Sequence, residues 1–265
     1  MMQIISDVHL ESRDGKVDEA RYLSPSPGAR FLALLGDIGC LDRGLTLVWY
    51  KRFLARCCEK WEKVFLLMGN HEYYGCSMDN AVKTFMNLPR EKGLHNLVPL
   101  ERTRAQISPG VVLLGATLWS QIPKECARDV STSVTDYRKI RLDHGKVRLT
   151  PECITNLHSI SMDWLEKEID KCQKEGTRAI VLTHHSPLPP SADDRISCAW
   201  STDLSKFMQK WQSAEGESPL KCWCFGHTHR SFRGEVNGVP VYSNQMGYSD
   251  PELCGFDPRL TIPVQ

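Results

Sequence analysis

The sequence predicts an α/β protein built on a mixed β-sheet or on two stacked sheets. Three observations predict it: short apolar runs bounded by turn residues recur along the chain, amphipathic helical stretches separate the earlier runs, and the last runs follow one another closely. The 265 residues are 41% hydrophobic and 25% charged, enough for a large core. No internal repeat or low-complexity linker divides them, so one domain over residues 1–265 is expected.

In order, the first strands are Gln3–Ser6 and Phe31–Leu35. Leu47, Tyr50, Leu54, Cys57 and Trp61 then recur every three to four residues, the spacing of one apolar helix face. Strands follow at Val64–Met68 and Val111–Ala116. The stretch 120–149 is charged and weakly periodic, and reads as an inserted loop or cap. A second helix carries Leu157, Ile160, Trp164, Ile169 and Cys172, with Gly176 as its C-cap. Ala179–Thr183 and Lys221–Phe225 are strands, followed by a cluster at Ser231–Glu235, Val239–Ser243 and Leu260–Val264. Asn237-Gly238 supplies the positive φ angles of a type I′ hairpin turn.

Composition excludes several classes. With 33 Lys+Arg against 32 Asp+Glu the net charge is +1. No long like-charge block gives the basic face of a dedicated nucleic-acid binder, although a local patch stays open. Apolar runs such as "FLALLGDIG" are too short to span a bilayer, and the strand-like N-terminus lacks a secretory pattern. The eleven cysteines are odd in number, irregular in spacing and without CxxC hooks. Cys222 and Cys224 share one strand face, as small buried hydrophobes do. These features describe a reduced, cytoplasmic protein without a membrane partner.

The strand ends carry the chemistry. They read "SDVH" (Asp7, His9), "GD" (Asp37), "GNHE" (Asn70, His71), "HH" (His184, His185) and "GHTH" (His227, His229). In α/β sheets, loops at the carboxyl ends of strands converge on a crevice. Two carboxylates, an amide and several imidazoles there suit a divalent ion such as Mn²⁺, Fe or Zn²⁺, with no thiolate needed. Residues two apart on extended chain point the same way, so each x-spaced pair is expected to face one centre. Glycines before Asp37, Asn70 and His227 permit close backbone approach.

The series DxH…GD…GNHE…H…GHxH, from residue 7 to 229, resembles the calcineurin-like metallophosphoesterase superfamily. The resemblance implies a four-layer α/β/β/α sandwich, two mixed β-sheets flanked by helices. The metal site would lie at the strand C-terminal ends. It also implies two divalent ions: Asp7, His9, Asp37 and His229 on one, and Asp37, Asn70, His184 and His227 on the other, Asp37 bridging. His184 comes first off its strand and is preferred to His185 as the ligand. His71 would face the leaving group.

Two ions about 3.5–4 Å apart clamp a phosphoryl oxygen and hold a bridging hydroxide. Two divalent ions (about +4), two carboxylates (about −2) and that hydroxide (about −1) leave roughly +1 to meet a phosphate. The expected activity is hydrolysis of phosphomonoesters or phosphodiesters of a small molecule or nucleotide, with Asp37 and His71 as the catalytic residues. Asn70, Tyr137, Arg138 and His185 are the expected substrate contacts, and Tyr73, Tyr74 and Trp119 could stack on a ring. A nuclease is the alternative, as is a catalytically weak scaffold, which should lack ligands that are all present here. In one respect the chain departs from the family. The second motif is commonly GDxxD, its last Asp orienting the GNH histidine, whereas "GDIGCLD" puts Cys40 there. Asp42 lies nearby as a substitute, but a thiol accepts hydrogen bonds poorly, so a modest role for His71 is expected.

Overall fold

The computed structural model describes residues 1–42, 44–212 and 217–265. Its strands are β1 (Met2–Ile5), β2 (Phe31–Leu34), β3 (Lys63–Leu67), β4 (Leu97–Leu100), β5 (Thr103–Ser108), β6 (Val111–Ala116), β7 (Arg141–Leu142), β8 (Val147–Arg148), β9 (Arg178–Thr183), β10 (Leu220–Phe225), β11 (Phe232–Val236), β12 (Val239–Ser243) and β13 (Thr261–Ile262). The helices are α1 (Glu19–Tyr22), α2 (Leu45–Lys60), α3 (Met78–Asn87), α4 (Ala127–Ser133), α5 (Asp136–Lys139), α6 (Pro151–Glu175) and α7 (Ser205–Lys210).

Two mixed sheets form, ordered β13-β1-β2-β3-β4 and β11-β12-β10-β9-β6-β5, with β7-β8 a separate ribbon. In each large sheet four neighbouring strands run parallel, and β13, β11 and β5 close edges antiparallel. The parallel strands are apolar on both faces, which sorts the core into three clusters. Ile5, Leu32, Leu34 and Val64 pack outward against Tyr50, Phe53 and Leu54 of α2 and Phe85 of α3. Met2, Ile4, Ala33, Phe65 and Leu67 point the other way and meet Leu113, Ile180, Leu182 and Cys224 between the sheets. Beyond the second sheet, Val112, Val181, Trp223 and Phe225 pack on Leu165, Ile169 and Met208 of α6 and α7. Helix, sheet, sheet and helix are therefore stacked as the motif series implied.

The sequence missed β4 and β5. Pro99 interrupts the short run of β4, which is tolerated because β4 pairs only with β3. β5 is half-polar because it lies on an edge and its Arg104 reaches Glu168 and Glu175 of α6. Stretch 120–149 folds as α4, α5 and the β7-β8 ribbon rather than as open loop. The expected caps formed: Gly176 ends α6 at φ 63°, and Asn237 and Gly238 both have positive φ. All eleven cysteines are free. Among the described residues no helix is long and apolar enough to cross a membrane.

Candidate metal centre and active site

The carboxyl ends of β1, β2 and β3 in one sheet face those of β9 and β10 in the other, and the loops leaving them meet. They do not meet by extended-chain alternation. Asp7, His9, Asp37, His227 and His229 all adopt positive φ, between 49° and 72°, so each turns its side chain inward through a left-handed residue. Non-glycine residues pay a strain for this conformation that the surroundings must hold in place. The period-two expectation for Asp7/His9 and His227/His229 is thus replaced by paired kinks. Close approach does require glycine at Gly69, where a Cβ would lie 2.2 Å from Asp37 Oδ1.

Three groups of potential ligands result among the described residues. Asp7, His9 and His229 form the first, Asp37, His184 and His227 the second, and His9, Glu11 and His71 the third. In the first, His229 Nε2 lies 3.0 Å from His9 Nε2 and 3.4 Å from Asp7 Oδ1. In the second, His184 Nε2 lies 3.0 Å from His227 Nδ1, 3.1 Å from Asn70 Oδ1 and 3.4 Å from Asp37 Oδ1. Asp37 joins these two: its Oδ1 faces His184, while its Oδ2 lies 3.9 Å from His9 Nε2. The loops are braced from behind. Asp7 accepts from the His227 amide at 3.1 Å and Asp37 from the His71 amide at 2.9 Å. Buried Glu72 accepts from the amides of Asp37, Ile38 and Gly69 and from the Tyr50 hydroxyl. Gln245 accepts from the His229 amide and donates to Thr228 Oγ1.

The donor set fits cations. His184 Nδ1 is 2.8 Å from the Leu35 carbonyl and donates to it, which leaves a lone pair on Nε2. That lone pair faces an amide oxygen and a carboxylate oxygen, an arrangement that needs a positive centre among them. Burial would lower the His184 pKa, yet Asp37 and Asp7 outweigh it and push it up to about 9. The pocket therefore draws positive charge. Burial and the neighbouring imidazoles of His185 and His184 hold His227 well below its usual range, so it stays neutral with a lone pair free for a ligand.

His184 and His185 part company in the bend that follows β9. His184 enters the centre. His185 is buried behind it, its ring 4.2 Å from that of His227 and 5.2 Å from that of Trp119, with Nδ1 at the Thr117 carbonyl. It does not line the cavity, which corrects its expected substrate contact. Tyr137 and Arg138 are corrected too. In α5 the i,i+3 pair Asp136 and Lys139 faces the cavity. Tyr137 turns into the core, and exposed Arg138 donates to the Thr132 carbonyl at 2.9 Å. Tyr73 and Trp119 stack on each other at 5.4 Å in the core, while Tyr74 lines the cavity.

The gap left by Cys40 is filled from elsewhere. Glu11, two residues beyond His9, lies 2.6 Å from His71 Nδ1 and 3.3 Å from His9 Nδ1. Burial would raise its pKa, but the two imidazoles hold it at about 2. In return, although burial opposes it, Asp37 and Glu11 raise His71 to about 9. The expected modest role of His71 is therefore revised: it has its carboxylate. Asp42 does not serve, for it accepts from Thr46 at the start of α2. Glu11 stands two residues beyond the first motif, in "DVHLE", but nothing local in the sequence ties it to His71, 60 residues away.

Above these groups opens a cavity of about 480 Å³, lined by Asp37, His71, Tyr74, Lys139, Trp200 and Tyr248 among others. Tyr248 sets its hydroxyl 2.9 Å from His71 Nε2 and its ring 4.2 Å from that of His9. Arg13 donates to the carbonyls of Gly247 and Ser249 on either side of it.

A family model described as calcineurin-like phosphoesterase matches residues 4–231, and the chain belongs to that family. An uncharacterized protein of Acanthamoeba polyphaga mimivirus is 28% identical over 290 residues, spanning 100% of this chain and 96% of the relative. Among solved structures, a phosphopantetheinyl hydrolase from Mycobacterium tuberculosis superposes with TM-score 0.59 at 14% identity, covering 95% of this chain and 90% of that one. A dimetal phosphatase from Danio rerio gives TM-score 0.54 at 15% identity, covering 95% and 89%. The family and the His/Asp clusters together define a metal-dependent hydrolase of phosphoesters.

Proposed function

We propose that the protein is a dinuclear metallohydrolase acting on phosphomonoesters or phosphodiesters of a small molecule or nucleotide. The observation that carries this reading is Asp37, whose two oxygens face two separate ligand groups. Asp7, His9 and His229 would share one ion with it, and Asn70, His184 and His227 the other. Mixed oxygen and imidazole donors suit Mn²⁺ best, with Fe or Zn²⁺ also accommodated. When bound, such a pair supplies a nucleophilic water at neutral pH and withdraws charge from phosphoryl oxygens.

The chain's own residues do the rest. Glu11 fixes His71 with Nδ1 occupied, so Nε2 is the nitrogen that meets substrate. That nitrogen holds the proton a departing alkoxide needs. Lys139 faces the same cavity from the opposite wall, where an ammonium can meet the phosphate or a second anionic group. The cavity, about 480 Å³, admits a small organic group beside the phosphate.

The test uses chelator-stripped protein, Mn²⁺ re-addition and two substrates, nitrophenyl phosphate and bis-nitrophenyl phosphate. Turnover of either that returns only with metal is expected, and the preferred ester separates monoesterase from diesterase. Protein that takes up no Mn²⁺, or that hydrolyses both esters equally well without it, would overturn the proposal.

A further inference from the structure

An asparagine ligand differs from a carboxylate in one respect: only one of its two terminal atoms can face a cation. The amide can turn over with almost no change of shape, and a turned Asn70 would present an NH₂ group instead of a lone pair. Here the choice is made by its surroundings. Asn70 Nδ2 lies 2.9 Å from Asp136 Oδ1 and 3.1 Å from the Tyr74 hydroxyl, and that hydroxyl donates to the same Asp136 oxygen at 2.6 Å. All three residues are buried. A carboxylate only accepts, so a turned amide would set oxygen against oxygen on that side.

We propose that Asp136 is the positioning residue of the metal centre, holding the Asn70 amide so that its carbonyl oxygen faces the cavity beside His184. This rests on the reading of Asn70 as a ligand, and it goes beyond that reading in giving stretch 120–149 a part in metal binding. Asp136 belongs to α5, whose Lys139 faces the cavity and lies with Nζ 5.2 Å over the Tyr74 ring. The wall that would touch substrate is therefore tied to a ligand through one carboxylate. Groups that orient a ligand typically contribute about 10–100-fold in metal affinity.

A charge exchange tests it. Asp136→Ala should weaken Mn²⁺ binding to stripped protein about 10–100-fold, read by calorimetric titration. Asn70→Asp sets two carboxylates in contact and should also bind poorly. Combining Asn70→Asp with Asp136→Asn rebuilds the pair with donor and acceptor exchanged. One oxygen of residue 70 then accepts from the new amide while the other faces the ion, and affinity should recover to within about tenfold of wild type. A structural role alone would lower the melting temperature of metal-free Asp136→Ala without changing the Kd of its folded form; that result would overturn the proposal. Should Asp136→Ala not fold, the comparison decides, because a double variant no better than Asn70→Asp also overturns it. Wild-type protein that binds no Mn²⁺ would overturn the metal reading itself, and the role of Asp136 with it.

Discussion

The loops that leave the strands and the wall that faces them build one cavity by different means. Every group that would touch an ion comes from a strand-end loop and is braced by backbone amides close by, as Glu72 braces the loops at Asp37 and Gly69. The wall, formed by residues in 133–139 together with Tyr248, brings Asp136, Lys139 and Tyr248, which aim the groups already there or narrow the cavity. Ligand identity is thus local, and ligand orientation is long-range. Substitutions at the loops should abolish the chemistry, and those at the wall should retune it.

The largest effect is expected at Asp37. Asp37→Asn removes a charge facing both ligand groups and several kcal/mol of charge stabilisation, so kcat on nitrophenyl phosphate should fall roughly a thousandfold or more. Metal stoichiometry should drop with it. A fall below about tenfold would break the division between loops and wall.

Next comes Glu11→Gln, with a loss of about a hundredfold on esters with poor leaving groups and much less on nitrophenyl esters. Removing this carboxylate lowers the His71 pKa from about 9, so the alkaline limb of the rate profile should move to lower pH. Divalent ions beside Asp37 cancel its pull on the imidazole but leave that of Glu11. The pair also stabilises the fold. His71 contributes fully below its unfolded value of 6.5, a contribution lost as pH rises toward 9, and Glu11 fully above 4.5, lost as pH falls toward 2. Chelated wild type should exceed chelated Glu11→Gln in stability most between pH 4.5 and 6.5, with the gap closing on both sides. A gap independent of pH would contradict the pairing.

The same contrast sets what the sequence reveals. The seven proposed ligands are legible because each sits in a short polar motif just where an apolar run stops. Glu11, Asp136 and Tyr248 act on partners 60, 66 and 177 residues away, and no local pattern announces such a pairing. Tyr137 and Arg138 misled because a cavity-facing helix turn presents only every third or fourth residue. The sheets were readable from burial on both faces, whereas β4 and β5, at edges, carry the proline and polar residues an edge permits.

Glu72→Gln sharpens the loop side. Its NH₂ group would face amide donors of the Asp37 and Gly69 loops, costing about 1–3 kcal/mol in unfolding free energy, measurable by urea titration. An unchanged midpoint would show that the loops are held otherwise. The smallest effect belongs to the wall: Tyr248→Phe keeps the ring over His9 and removes the hydroxyl at His71, so kcat should change only a few-fold. A hundredfold loss would move Tyr248 from the wall into the chemistry.

The central claim is that Asp37 lies between two cations. Anomalous diffraction from crystals grown with Mn²⁺ tests it most directly. The account predicts two peaks about 3.5–4 Å apart, one beside Asp7, His9 and His229, the other beside Asn70, His184 and His227, with Asp37 touching both. A single peak, or two peaks that share no Asp37 oxygen, would contradict it.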